Sequence, residues 1–374
     1  MRRTDFTTEL TQSAEKFLEK HYTQALWEAS CASDVGFSRE SWKMMAEMGW
    51  LGLCIPEAYG GLAFGAQERA ALGVCLGRHF VLEPYASTAV LAAELISRLG
   101  THVQKDRYLP RIASGDLTCA VAFAPPSPHN TCRSDCAAAR HRGTYRLQGW
   151  KSAVLDASGA DLLVVHALLD AETAALFLVD AKSPGLSARN FSAIDGRRCS
   201  DVNFNAVEVD VSRLLGEPGM VDDAITQALN HCIVHSCAEA TGVMESLIGR
   251  TIEYLQNRVQ FGTTLSTFQV LRHRVVDMYV HLEQVKSLTA AAARALDSDA
   301  PDADCLCAAA KVSLGRSGRF VGQQAIQLHG GIGMTDEMRI GHGLKRLSLL
   351  DSLHGNHNHH LRRFSLLSQQ SVHQ

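Results

Sequence analysis

The chain has 374 residues, 46% hydrophobic and 20% charged, with 36 basic against 39 acidic side chains and a net charge of −3. That length exceeds what one small core needs and predicts two or three packed domains, and the balance excludes a disordered, collagen-like or coiled-coil chain. Near-neutral charge advertises no basic face for nucleic acid or anionic lipid, and no uninterrupted apolar run reaches the ~18 residues of a membrane span.

Residues 1–116 read as a helical domain. Ser38 suits a helix N-cap, and Trp42, Met45 and Met48 follow it at helical spacing up to Gly49. Pro56 to Gly61 is dense in turn residues, and helical periodicity resumes over 66–78 and 86–99, with Gly100 as a C-cap. Trp50, Met44, Met45 and Met48 are expected in the core. From 117 to 217 the texture changes to short β-type runs, at 119–123, 144–148, 161–166, 176–179 and 203–209, separated by turn residues as in a β-barrel or sandwich. Residues 218–374 return to helix: long amphipathic stretches over 222–259, 266–297, 303–329 and 337–368, joined by short links, predict a four-helix bundle. The fold class is α+β multidomain: helical domain, β-barrel, four-helix bundle. Apolar stripes on 222–259 and 303–329 predict that the chain is at least a dimer, packed through the two C-terminal helix pairs.

Eleven cysteines, from Cys31 to Cys307, show no paired metal-ligand spacing and are expected as reduced thiols. The start, MRRTDFTTEL, is positively charged but no apolar stretch follows, so a cytoplasmic protein is expected. Gly330, Gly331 and Gly333 precede a helix, where glycines let backbone approach a phosphate and the helix N-terminus favours it; a plain tight turn is the alternative. Arg258 beside Phe261 suits a phosphate with a flat ring packed next to it, or else a surface arginine at a helix end. His354, His357 and His360 invite a metal, but no acidic or cysteine partner completes a site in the tail, and solvated or interfacial histidines are expected.

Four motifs in chain order resemble the acyl-CoA dehydrogenase family: Gly49-Trp50-Leu51-Gly52-Leu53 with Ile55-Pro56-Glu57 and Tyr59-Gly60-Gly61; Asp195-Gly196-Arg197-Arg198 with Leu214-Leu215-Gly216; Glu253-Tyr254-Leu255 through Arg258-Val259-Gln260-Phe261-Gly262; and Gln323 to Gly333, QQAIQLHGGIG. The resemblance covers nearly the whole chain and is nearest to the small-subunit, pimeloyl-CoA dehydrogenase-like type. It implies FAD as cofactor, an acyl-CoA substrate, an electron-transferring flavoprotein as acceptor, and a homo-oligomer or a hetero-oligomer with a homologous chain. It also implies that Arg258, Phe261, Gln269, Gln327 and Gly331 serve the FAD of a neighbouring subunit.

The other end of the implied site departs from the family pattern. A proline-rich stretch, Pro125 to Pro128, stands where the family has a flavin-contacting loop, and Ala153 and Leu155 replace its Trp and Thr after Gly149-Trp150-Lys151. Taking the α-proton needs a base. The family's glutamate positions fall on His354 and, in a second branch, on Cys232; Glu239 is a reserve candidate, and Asp351 is placed to orient His354. The expectation is an FAD-dependent acyl-CoA dehydrogenase-like flavoprotein for α,β-dehydrogenation of an acyl-CoA thioester. It is either competent in a homo-oligomer, with His354 or Glu239 as an altered base, or acts as the non-catalytic small subunit of a hetero-oligomer. The alternative is a structural or binding protein on the same fold that has lost flavin and catalysis.

Overall fold

The computed structural model describes residues 3–123, 136–335 and 338–372. Six helices lead the chain: α1 (Arg3–His21), α2 (Gln24–Ala32), α3 (Arg39–Glu47), α4 (Ala66–Arg78), α5 (Ala93–Leu99), entered through a π-helical segment Ala86–Ala92, and α6 (His102–Ala113). Their starts follow local chemistry. Thr23 and Ser38 accept from Leu26 and Ser41 backbone N–H groups, and Thr101 forms a reciprocal capping box with Gln104.

A sheet follows, built from β1 (Cys119–Ala122), β2 (Cys136–His141), β3 (Thr144–Leu155), β4 (Leu162–Leu168), β5 (Ala174–Asp180), β6 (Leu186–Ser192), β7 (Arg198–Asp210) and β8 (Leu214–Leu215). The order is β6-β7-β3-β2-β4-β5-β8, with β1 parallel to β4. Alternate residues of these strands, among them Leu147, Val165, Phe177, Phe204 and Val207, form one apolar core. β2 and β6 lie outside the β-type runs read from sequence. β6, LSARNFS, is exposed along most of its length and β2, CAAARH, alternates only alanine-sized groups, so neither carries a strong period-2 apolar signal.

The last part is helical: α7 (Asp222–Asn257), a β9 (Val259–Gln260)/β10 (Thr263–Thr264) hairpin, α8 (Gln269–Asp297), α9 (Ala303–His329), α10 (Arg339–Ser352) and α11 (His357–Val372). The stretch expected as one helix over 337–368 is two, because His354 (φ 57°) and Gly355 (φ 94°) take left-handed backbone between them. α9 packs tightly on α10: a Cβ at Gly322 would come 2.7 Å from Leu344 Cδ1.

By compactness the chain forms two units. One comprises Met1–Tyr22, Ala66–Val81 and Ile233–Gln374; the other comprises Thr23–Gly65 and Leu82–Cys232. In the first, the Asp297 carboxylate at the end of α8 accepts from the Ala66 and Gln67 N–H groups and so caps α4. In the second, Thr88 Oγ1 donates to the Cys119 carbonyl at 2.9 Å, and Tyr85 donates to the carbonyl of buried Trp50 at 3.2 Å. Met45 is buried as well, whereas Met48 is exposed. Among the described residues, no helix is long and apolar enough to cross a membrane.

Candidate functional site

Within the first unit, five expected cofactor residues lie at neighbouring helix ends. Arg258 follows the last residue of α7; its N–H donates to the Tyr254 carbonyl at 2.8 Å and its carbonyl accepts from Leu265 N at 2.9 Å. The β9–β10 hairpin then turns through Phe261 (φ 56°) and Gly262 (φ 79°), two consecutive left-handed residues as a type I′ turn requires. Glycine adopts this freely and phenylalanine does not, so the turn holds Phe261 at the tip at a conformational cost. Its ring is 87% exposed and meets Phe268 edge-on with centroids 6.1 Å apart. Gln269 opens α8 on the same connection and is exposed. At the end of α9, Gln327 is exposed, its carbonyl accepts from Gly330 N, and Gly330 (φ 66°) leads into a 3-10 turn over Gly330–Met334. A Cβ added at Gly330 or Gly331 would meet nothing within 4 Å, so the backbone there is open to an approaching group. Arg258, Phe261, Gln269, Gln327 and Gly331 are thus all solvent-facing in the single chain. A guanidinium, two amides, open glycine backbone and an exposed ring are the donor set that a dinucleotide pyrophosphate and its flat rings require.

The outward apolar surface of the C-terminal helix pairs is uneven. α7 and α9 spend most of their apolar side chains on the interior, and only Ile252 of α7 is exposed among their large described hydrophobics. The outward apolar stripe is on α8, where Val276, Tyr279 and Val280 share a face at i, i+3, i+4 and Val270 lies further toward the helix start.

In the second unit, Ala153 has left-handed backbone (φ 50°) at an irregularity in the β3–β7 register, is exposed, and donates its N–H to Asp201 at 3.0 Å. Asp201 also pairs with Arg189 at 2.9 Å. Leu155 is half-buried, and Asp156 after it (φ 62°) is buried, with its carboxylate on the Ser87 hydroxyl. Burial pushes the Asp156 carboxyl up to about 6 against the pull of Arg197. Neither Asp156 nor Asp201 was singled out from the sequence as a site residue. The Pro125–Pro128 loop lies outside the described residues. Cys232 is buried in α7.

The base candidates are placed less favourably. Glu239 is buried in α7 and forms an ion pair with buried Arg346 of α10, which also donates to the Val81 carbonyl at 2.7 Å. A carboxylate held this way suits a packing role. His354 is half-buried in the α10–α11 turn, where its carbonyl accepts from His360 Nε2 at 3.0 Å. Fully buried Lys311 donates to the Leu350 carbonyl at the end of α10. Burial, reinforced by Lys311, pushes the His354 imidazole down to about 3. So weakly basic a ring is a poor acceptor for an α-proton at neutral pH. Asp351 does not orient His354: its two oxygens take the N–H of His357 at 2.9 Å and the His357 ring Nδ1 at 2.8 Å. His360 thus bonds the His354 backbone and His357 bonds Asp351, and among the described residues no group of three or more His, Cys, Asp or Glu side chains is placed to hold a metal ion.

This turn gives a pH prediction. His360 is also pushed down to about 3, chiefly by burial. Depressed histidines mean that the unfolded chain binds more protons between pH ~6.5 and ~3, so their contribution is complete above ~6.5 and is lost as pH falls through that window. The urea midpoint is expected to drop between pH 7 and pH 5, and to drop less in His360→Asn, measured by fluorescence at both pH values. An equal drop in the variant would remove His360 as a cause.

A family model described as the acyl-CoA dehydrogenase N-terminal domain matches residues 4–116, and one described as the C-terminal domain matches residues 223–365. Together they span more than half of the chain, and the chain belongs to the acyl-CoA dehydrogenase family, whose members use FAD. Among similar proteins, the acryloyl-CoA reductase (NADH) of Anaerotignum propionicum is 27% identical over 89% of this chain and 88% of its own length. Mitochondrial isovaleryl-CoA dehydrogenase of Solanum tuberosum is 28% identical over 83% of this chain and 77% of its own. A solved Tcur3481-Tcur3483 steroid ACAD variant superposes with a TM-score of 0.89 at 28% identity, covering 99% of both chains. Butyryl-CoA dehydrogenase of Megasphaera elsdenii shares the fold, with a TM-score of 0.89 at 22% identity over 98% of both.

Proposed function

We propose that this chain is the flavin-completing, small-subunit member of an acyl-CoA dehydrogenase-type hetro-assembly. A homologous chain supplies the carboxylate base for α,β-dehydrogenation of an acyl-CoA thioester, and an electron-transferring flavoprotein takes the electrons. The observation that carries this reading is one-sided. The residues suited to a neighbour's FAD are retained and face solvent, while Ala153, Leu155 and His354 stand where the chain's own flavin contacts and base would be. Decay of a useless site has no reason to spare one half, whereas a role in trans does. The similar Tcur3481-Tcur3483 protein is itself named for two chains, which supports an assembly of unlike subunits. The outward apolar stripe on α8, next to the cofactor edge, offers a face for a partner subunit.

FAD bound at this edge supplies hydride-accepting chemistry. Arg258 and the Gly330–Gly331 backbone would hold its pyrophosphate, Gln269 and Gln327 would bond its polar edge, and Phe261 would cover a ring. Arg258→Ala is expected to weaken flavin retention by about 10- to 100-fold, from the roughly 1.5–3 kcal/mol of a charge-assisted bond, with the fold intact. The check is the flavin absorbance left after gel filtration, with and without a co-expressed homologous chain. Unchanged occupancy would make Arg258 a helix-end cation, and a colourless protein under both conditions would favour a fold that has lost flavin.

A further inference from the structure

The cofactor edge is assembled from two separate helix ends: α7 supplies Arg258, and α9 supplies Gln327 and the glycine turn. Helix ends fray, and two of them can present one ligand surface only if their separation is fixed. Two residues with no role in the reading above lie where that could be done. Tyr254 is one turn before Arg258 and accepts its N–H; His329 is the last residue of α9, directly before Gly330. Their rings stack face to face, with centroids 4.5 Å apart and planes 25° from parallel.

The histidine is set rigidly. It is 3% exposed, and its Nδ1 lies 2.8 Å from the Ala325 carbonyl, so that nitrogen carries the proton and donates. Nε2 is then a bare lone pair, buried and without a hydrogen-bond partner among the described residues. Leaving it so costs free energy, and a residue kept in that state is held by its packing. Burial lowers the affinity of the ring for a second proton, so it stays a neutral, flat surface. The turn after it folds back closely: a Cβ at Gly333 would lie 2.9 Å from His329 Cβ. The imidazole cannot swing away without releasing Ala325, leaving Tyr254 and displacing the glycine turn.

We infer that Tyr254 and His329 are positioning residues for the dinucleotide edge, their ring stack setting the distance between the Arg258 guanidinium and the Gly330–Gly331 backbone. This rests on the FAD reading proposed above. It assigns to the two rings a part that hydrogen bonding to the cofactor does not need, since neither ring has to touch it.

The test is FAD affinity of the full-length protein, alone and with a co-expressed homologous chain, followed by quenching of flavin fluorescence, in a set of variants whose folding is checked by far-UV circular dichroism. Tyr254→Leu and His329→Leu are each expected to bind FAD about three- to tenfold more weakly, the range that an aromatic pair supports. The double variant is expected to be no weaker than the worse single one, because both remove the same contact. Tyr254→Phe and His329→Phe, which keep a flat ring, are expected to bind within about twofold of the unmodified protein. A merely structural residue would not give this split between leucine and phenylalanine at equal helicity. If one leucine variant fails to fold, its counterpart on the other helix decides. Leucine variants that bind as the parent does, while Arg258→Ala loses affinity, would overturn the positioning role and leave the FAD reading standing. Phenylalanine variants as weak as the leucine ones would also overturn it. A parent protein that binds no FAD either alone or with the homologous chain, or binds it equally well with Arg258→Ala, would overturn the FAD reading and this inference with it.

Discussion

Glu239→Ala and Arg346→Ala are each expected to lower the unfolding free energy by about 3–5 kcal/mol, because either breaks an ion pair in a dry interior. Both partners are nearly inaccessible, and Arg346 reaches Glu239 and the Val81 carbonyl at once, so its removal releases groups on two other segments. Urea unfolding checks this directly. The double variant Glu239→Gln/Arg346→Met is expected to recover much of the loss, since a buried pair replaced on both sides costs less than one half of it left behind. This series also distinguishes a packing carboxylate from a base. A catalytic Glu239 would tolerate Glu239→Gln in stability and lose turnover. Stability of both alanine variants within about 1 kcal/mol of the parent would show that the pair is not what holds α7 to α10, since surface-like changes stay near that size.

Purified alone, the chain is expected to show no steady turnover of an acyl-CoA. His354→Ala is expected to change whatever residual rate exists by less than about twofold, where removal of a working general base costs about 10²–10⁴. The reason lies in the α10–α11 turn. Burial and Lys311 hold the imidazole far below its usual range, and His360 ties the carbonyl of the same residue. Turnover is expected on mixing with a homologous chain that carries the missing carboxylate, insensitive to His354→Ala and lost with Arg258→Ala. Steady turnover by the isolated chain, abolished by His354→Ala, would reverse this reading and make His354 the base of a self-sufficient enzyme.

Several site residues were legible only as positions. The motif at Arg258 to Gly262 marks a hairpin of an acyl-CoA dehydrogenase, but the left-handed Phe261 and its exposed ring are properties of the turn geometry. Glu239 and Asp351 are carboxylates at plausible spacing from their proposed partners, and spacing cannot tell which cation or imidazole each one meets. Arg346 is 107 residues from Glu239, and Asp351 meets His357 only because the chain breaks helix at His354 and Gly355. Tyr254 and His329 read as one aromatic and one imidazole 75 positions apart in sequence. Nothing local signals that they stack.

By itself the sequence determined the order of helical, β and helical segments, the family, and the candidate groups for a cofactor edge. Those follow from short-range rules: capping side chains, 3.6- and 2-residue apolar periods, glycine at turns and motif spacing. Tertiary structure decided the rest. It set which apolar stripe faces outward, placing it on α8 because α7 and α9 bury most of their apolar side chains. It also decided which ionisable groups are buried against which partners, pairing Glu239 with Arg346 and lowering the proton affinity of His354. Burial and pairing are long-range quantities, summed over segments far apart in the chain, and they control both the proton affinity of a side chain and the cost of removing it.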